Sequence, residues 1–346
     1  MKSSTFGFVL AVSLMILSFS VEAQRFTRSK RYWSIGGSIN AMNYFGDITP
    51  STSITSFEIA KTTPELSFFI QRRVLPNVTL RASLAYGGLQ GDDYVSGDGD
   101  QFELANPDEV TEQNFRLFRN QHFRNRIAEV SGVAIFDFIQ NRGRYFRRPE
   151  KPIPYAFVGI ALGVQNAQVQ VPNRGTIDLA TNRVLNFDNA GEWVNLRDFP
   201  EIYEGGQAPS PFLISIPFGV GVRYKLSKKV DIAFEAGFRY TFTDLLDGVS
   251  GNYQQIDREV NGQPNLTYYI SDRSSLDQAM DHRGNNVDRT HIVDGMRQVY
   301  GNNLESYSAP TELRGKGGFG NNDQYMVYGI HVSYILAYDV KCPKFR

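Results

Sequence analysis

Phe212-Leu-Ile-Ser-Ile-Pro-Phe-Gly-Val-Gly-Val-Arg-Tyr-Lys-Leu226 places Phe212, Ile214, Ile216, Phe218, Val220, Val222, Tyr224 and Leu226 on one face. Leu213, Ser215, Pro217, Gly219, Gly221, Arg223 and Lys225 fall on the other. After Ser227-Lys228-Lys229 the alternation resumes, with Val230, Ile232, Phe234, Ala236, Phe238, Tyr240 and Phe242 against Asp231, Ala233, Glu235, Gly237, Arg239 and Thr241. Successive side chains leave a strand on opposite faces, so a period of two over this length reads as two β-strands. Both are longer than the roughly 5–6 residues usual in soluble sheets. They exceed the about 9–11 residues that a tilted strand needs to cross hydrocarbon. One face is apolar and ends in aromatics, and the other is small or charged. That is the pattern of a strand with lipid outside and a polar lumen inside.

Working outward, the same alternation recurs. Strands are expected over Tyr32 to Asp47, Pro64 to Leu75, Val78 to Tyr86, Phe123 to Phe138, Pro152 to Val164 and Gln324 to Asp339. With the opening pair this makes eight. The connections are 48–63, Pro76-Asn77, 88–122, 139–151, 165–211, 227–229 and 244–323, so long and short segments alternate. A membrane barrel sorts its loops in this way, with long ones outside and short turns in the periplasm. The expectation is therefore an all-β fold: an eight-stranded antiparallel transmembrane β-barrel with long extracellular loops, of which 88–122, 165–211 and 244–323 are the longest. Ser274 to His282 reads as a short helix capped by Ser274.

Closure follows from the backbone. An unpaired N–H or C=O in hydrocarbon costs several kcal/mol, so an open sheet edge is excluded. At eight strands the interior is only wide enough for side chains to fill it. Arg81, Glu129, Arg223, Glu235 and Arg239 all fall on the inner face, and we expect them to pair across the lumen and plug it.

The first 23 residues read as a cleaved signal peptide. Lys2 gives a positive start, Phe6 to Phe19 is uncharged and apolar, and Val21-Glu22-Ala23 is a small-x-small cleavage site. Residues 24–346 would then be the barrel, and the expected location is the cell outer membrane. Lys plus Arg and Asp plus Glu both number 36, so net charge gives no reason to expect nucleic acid. Gly 31 and 13% aromatic residues fit an all-β membrane protein. One cysteine, Cys342, excludes an internal disulfide framework.

Asn43-Tyr44-Phe45-Gly46-Asp47, the basic turn 139–151 and the tail Lys341-Cys342-Pro343-Lys344-Phe345 resemble the small outer-membrane β-barrels of Bacteroidota, the PorG-like family of the type IX secretion system. The resemblance spans the mature chain as a pattern, and its specific residues are few. It implies a non-enzymatic barrel that anchors a periplasmic ring of lipoprotein and partner subunits to the outer membrane.

The residues place such a partner on one side. The turn carrying Arg142, Arg144, Arg147 and Arg148 shares the periplasmic end with the tail. These arginines read equally as a partner-docking surface and as contacts to anionic lipid head groups. A leftover cysteine in an exported chain points to an intermolecular disulfide or a reactive thiol, against an inert one. Catalytic, cofactor and metal sites are not expected. The four histidines, His122, His282, His291 and His331, lack metal-ligand spacing. Asp98-Gly99-Asp100 with Glu103 is only a fragment of a calcium loop and reads as a solvated acidic segment. Gly315-Lys316-Gly317-Gly318-Phe319-Gly320 lacks the strand and helix that a phosphate loop requires. The alternatives to an anchoring barrel are a small diffusion channel, a ligand-binding barrel, or an outer-membrane lipid acyltransferase.

Overall fold

The structure is a computed structural model, and it describes residues 30–48, 61–103, 111–281, 284–304, 307, 314–315 and 322–336. The expected signal peptide and the tail with Cys342 lie outside the described residues. Eight long strands alternate as the sequence predicts: β1 Trp33–Phe45, β2 Thr63–Arg73, β3 Val78–Asp92, β4 His122–Asp137, β5 Ile153–Gln170, β6 Phe212–Lys225, β7 Val230–Thr241 and β8 Gln324–Leu336. Each pairs antiparallel with its neighbours in sequence. The pairing of β1 with β8, from Trp33–Leu336 to Phe45–Gln324, closes the ring.

The fold is therefore an all-β, eight-stranded antiparallel barrel. Its outer wall is apolar: Phe68 is 72% exposed, Ile39 70% and Phe212 74%, with Leu84, Ile160, Phe234 and Ile330 also exposed between them. A continuous band of this kind is far larger than a water-soluble monomer presents. In hydrocarbon each such side chain is worth about 1.5–3 kcal/mol relative to water. No helix among the described residues is long and apolar enough to cross a membrane; the crossing elements are the strands.

Glycine on the inner face makes room for aromatic rings. Tyr155 lies against Gly221, and Phe157 lies over Gly219 and Gly237, where a Cβ would sit 2.5–2.8 Å from the ring atoms. Pro217 is inside β6. The β5–β6 ladder omits its pairing there, resuming at Ala161–Ser215 beyond Val158–Phe218, because proline has no N–H to give.

The short connections are tight. Leu226 N donates to Val230 O at 3.0 Å, and the Ser227 hydroxyl accepts from the Val230 amide at 3.1 Å. The long connections depart from expectation. β3 and β5 run past Tyr86 and Val164 to Asp92 and Gln170, and Trp193–Asn195 adds a short ninth strand to β5. Of the helix expected over Ser274 to His282, the described residues 274–281 are not helical: Gln278–Met280 pairs as a strand with Asn286–Asp288. Among the described residues the longer helices are α1 Glu112–Arg119, α2 Leu266–Ser271 and α3 Thr290–Tyr300, with a single helical turn at Asp93–Ser96. Ser274 instead accommodates Arg289, which donates to its carbonyl at 2.7 Å.

These segments form a folded cap over one end of the barrel. Tyr94, Leu117, Phe118, Tyr253, Ile292, Val293 and Met296 make one core. Ala167, Val169, Leu196, Ile202, Tyr203 and Ile270 make a second, continuous with the extended β5. The apolar residues come from distant inserts at no fixed period, so each insert alone reads as polar.

Candidate functional site

The lumen holds a column of paired charges. At mid-height Arg81 makes a two-pronged contact with Glu235, its Nη2 2.8 Å from Oε2. Tyr155 donates to the same carboxylate at 2.7 Å, and His331 Nε2 stands 3.6 Å from it. Toward the cap, Arg239 Nε lies 3.3 Å from Glu129 Oε1, and Tyr325 donates to Glu129 at 2.9 Å. Toward the short turns, Arg223 and Arg73 share Asp137 at 2.9 and 3.2 Å. The Arg81 guanidinium also lies over the Phe69 and Phe157 rings, 5.5 and 5.6 Å from their centroids.

Arg81, Glu129, Arg223, Glu235 and Arg239 thus occupy the inner face as ion pairs. Arg73, Asp137, Tyr155 and Tyr325 join them. The sequence signal for these was their inward parity, but parity does not show which cross-barrel partner each meets. In a low-dielectric wall an unpaired charge is costly, so the pairs and their added hydrogen bonds hold one another in place. The space left among Asn40, Glu65, Arg81, Glu129 and Arg239 is about 30 Å3, room for water molecules.

At the short-turn end, Arg142, Arg144 and Arg147 are exposed. Arg142 donates to Gln140, and Arg147 lies 5.9 Å from the Phe146 ring centroid. Arg148 is different: it is 6% exposed, paired with Asp231 at 2.9 Å and donating to the Ser227 carbonyl. It ties the turn to the barrel mouth and is not part of the exposed surface expected for the four arginines.

At the opposite end the cap is clasped to the rim. The Tyr44 hydroxyl lies 2.8 Å from Asp247 Oδ2 and 2.6 Å from Asp323 Oδ1, and it accepts from the Asp47 amide at 3.1 Å. Both carboxylates converge on one phenolic oxygen, an arrangement that a proton on either aspartate would complete. Burial, then the neighbouring Asp47, pushes Asp247 well above the usual carboxylate range. Burial, then Asp247 and Asp47, does the same to Asp323. Asp244 is pushed up to about 7 by burial and by Asp47. The resembling motif Asn43–Asp47 supplies this clasp.

Buried arginines fasten the rest. Arg119 grips Asp93 at 2.8 and 2.7 Å and donates to the carbonyls of Asp47 and Arg314. Arg289 caps the carbonyls of Ser274, Leu276 and Leu117, and burial lowers it to about 10. Asp93 is fully buried and anchors the start of this insert, whereas Asp98, Asp100 and Glu103, read as a solvated acidic segment, are exposed. Asp100 accepts from Tyr94 at 2.7 Å. His291 contacts the Gly99 carbonyl at 3.2 Å. Among the described residues no group of three His, Cys, Asp or Glu is placed to hold a metal ion.

Residues 207–269 match a family model described as a domain of unknown function, DUF6089. No curated protein matches the chain. Among solved structures, the attachment invasion locus protein Ail of Yersinia pestis aligns at 7% identity over 90% of this chain and 100% of that one, with a TM-score of 0.32. The outer membrane protein OprG of Pseudomonas aeruginosa aligns at 6% identity over 91% and 99%, with a TM-score of 0.35. Neisserial surface protein A aligns at 9% identity over 88% and 97%, with a TM-score of 0.30.

Proposed function

We propose that this chain is a non-enzymatic outer-membrane barrel, exported by a cleaved signal peptide, that anchors a periplasmic assembly. The observation that carries this reading is the filled lumen. Ion pairs run from Arg73 and Asp137 to Arg239 and Glu129, which argues against a conduit and leaves the two ends as working surfaces. At the short-turn end Arg142, Arg144 and Arg147 are open to a periplasmic ring or lipoprotein subunit, and Cys342 would add an intermolecular disulfide. The resemblance of Asn43–Asp47 and the Cys-Pro tail to the PorG-like barrels favours the type IX secretion system as that assembly.

The test is cross-linking and pull-down from native outer membranes. Recovery of periplasmic subunits, reduced when Arg142, Arg144 and Arg147 are reversed to Glu, supports the proposal. Unchanged recovery would assign these arginines to lipid head groups. A Cys342-dependent high-mass band on non-reducing gels is expected, and its absence removes the disulfide.

A second reading rests on the folded cap, whose own cores suit it to hold an external ligand. Replacing 171–211 with a short turn while periplasmic recovery persists would separate this role from anchoring.

A further inference from the structure

Charge on the outer wall of the barrel is confined to few places. At outward-facing positions of the eight strands the exposed or half-exposed charged residues are Arg72, Arg124 and Arg126; Asp92, at the cap end of β3, shares their parity but is 2% exposed and accepts from the Tyr94 and Val95 amides. Arg72 belongs to the short-turn end, where its guanidinium lies 5.0 Å from the Trp33 ring centroid. Arg124 and Arg126 lie at the cap end of β4. Two residues apart, they share one face at a spacing of about 7 Å.

The register places them just above the apolar band. Tyr86, Ala128 and Val164 are cross-strand neighbours and form the last apolar row on this side. The next row is Gly88, Arg126 and Asn166, and above it stand Gln90, Arg124 and Gln168. Arg124 is held in place: its guanidinium lies 4.2 Å from the Trp193 ring centroid, and its Nε donates to Gln168 Oε1 at 2.8 Å. Arg126 is exposed, and its side chain makes no ion pair or hydrogen bond among the described residues. Gly88 beside it has no side chain to cover it.

We propose that Arg124 and Arg126 form a docking point on the outer wall for the phosphate of an anionic glycolipid in the cap-side leaflet. This rests on the membrane orientation proposed above. Two guanidiniums at head-group depth, with no exposed carboxylate among the outward-facing strand residues described to neutralise them, meet the one anion abundant at that depth. The fork of an arginine matches phosphate oxygens in a way an ammonium does not. The stacked Arg124 is preorganised, and the open Arg126 completes the grip.

The test reconstitutes the full chain in nanodiscs containing bis-phosphorylated lipid A and measures lipid retained through native mass spectrometry. Each arginine near a membrane surface contributes about 1 kcal/mol of attraction, so R124Q/R126Q is expected to lower retention at least about tenfold. R126Q, which removes one of the two guanidiniums, gives the intermediate value. R72Q leaves retention unchanged. Dephosphorylated lipid A is expected to bind the wild type as weakly as intact lipid A binds the double variant. Equal retention by the double variant, or indifference to dephosphorylation, would overturn the proposal. Displacement by millimolar inorganic phosphate would assign the site to the free anion and overturn it too. Heat-dependent gel mobility confirms that each variant is a closed barrel. Failure of the wild type to enter a bilayer would sink the membrane reading, whereas normal insertion with unchanged retention sinks this site alone.

Discussion

Glu235 is the residue on which the lumen turns. It accepts from Arg81 and Tyr155 inside the barrel wall, and Arg81 is itself 8% exposed. Glu235→Ala leaves a buried guanidinium without its counter-charge, and a loss of about 3–5 kcal/mol is expected. Urea unfolding of the reconstituted barrel measures it. Replacing both partners with apolar residues of similar volume costs much less, because no charge is then stranded. At the clasp, the folded pKa values of Asp244, Asp247 and Asp323 lie above the unfolded carboxylate value of about 3.9. Their contribution to stability is therefore complete below that value. It is lost as pH rises through the folded ones, near 7 for Asp244. Arg119 and the other cationic groups nearby do not reverse the direction. The Leu246 amide, which donates to Asp323 Oδ2 at 2.8 Å, reports on the clasp. Its hydrogen-exchange protection, corrected for intrinsic rate, is expected to be greater at pH 6 than at pH 8. Protection that rises with pH would contradict the assignment. Asp247→Asn is expected to reduce the dependence.

Among the elements, β5 and β6 show how an inner face is tuned. Gly221 faces Tyr155, and a Cβ there would come 2.6 Å from the phenol oxygen that donates to Glu235. Gly221→Ala is expected to cost about 1–3 kcal/mol through overpacking, read as a lower urea midpoint with the barrel still closed. An unchanged midpoint would show that the Tyr155 ring moves aside without loss. The strands themselves were legible because a half-buried strand writes its two environments alternately along the chain. Their ends were less so. Gln165 and Gln168 continue the pairing of β5 above the lipid, where the outer face need no longer be apolar and the pattern fades. The misplaced helix at Ser274 to His282 has the same origin. A polar segment with a good cap residue carries no record of the Asn286–Asp288 strand and the Arg289 side chain that claim it.

For the whole molecule, the filled lumen makes a transport prediction. Purified protein in a planar bilayer is expected to pass no steady ion current, and stepwise conductance would restore the diffusion-channel reading. The cap and barrel are joined by fully or nearly buried groups: Tyr44 to Asp247 and Asp323, and Arg119 to Asp93 and the Asp47 carbonyl. Arg119→Ala is accordingly expected to loosen the cap by several kcal/mol, since it leaves the buried Asp93 without the guanidinium that grips it. Limited proteolysis would show this as cleavage within 93–121 and 242–323, with the strands protected. Cleavage spread equally over the strands would mean that cap and barrel unfold together.

The sequence by itself determined the barrel: strand number, inner and outer faces, alternation of long and short connections, and the inward parity of Arg81, Glu129, Arg223, Glu235 and Arg239. Lipid and lumen act on every second residue, so that information is local and periodic. Only the tertiary structure decided the pairing of those charges, the withdrawal of Arg148 from the exposed turn to Asp231, and the conversion of polar inserts into a packed cap. Each of these depends on residues brought together across the ring from far along the chain, where no period marks the partner.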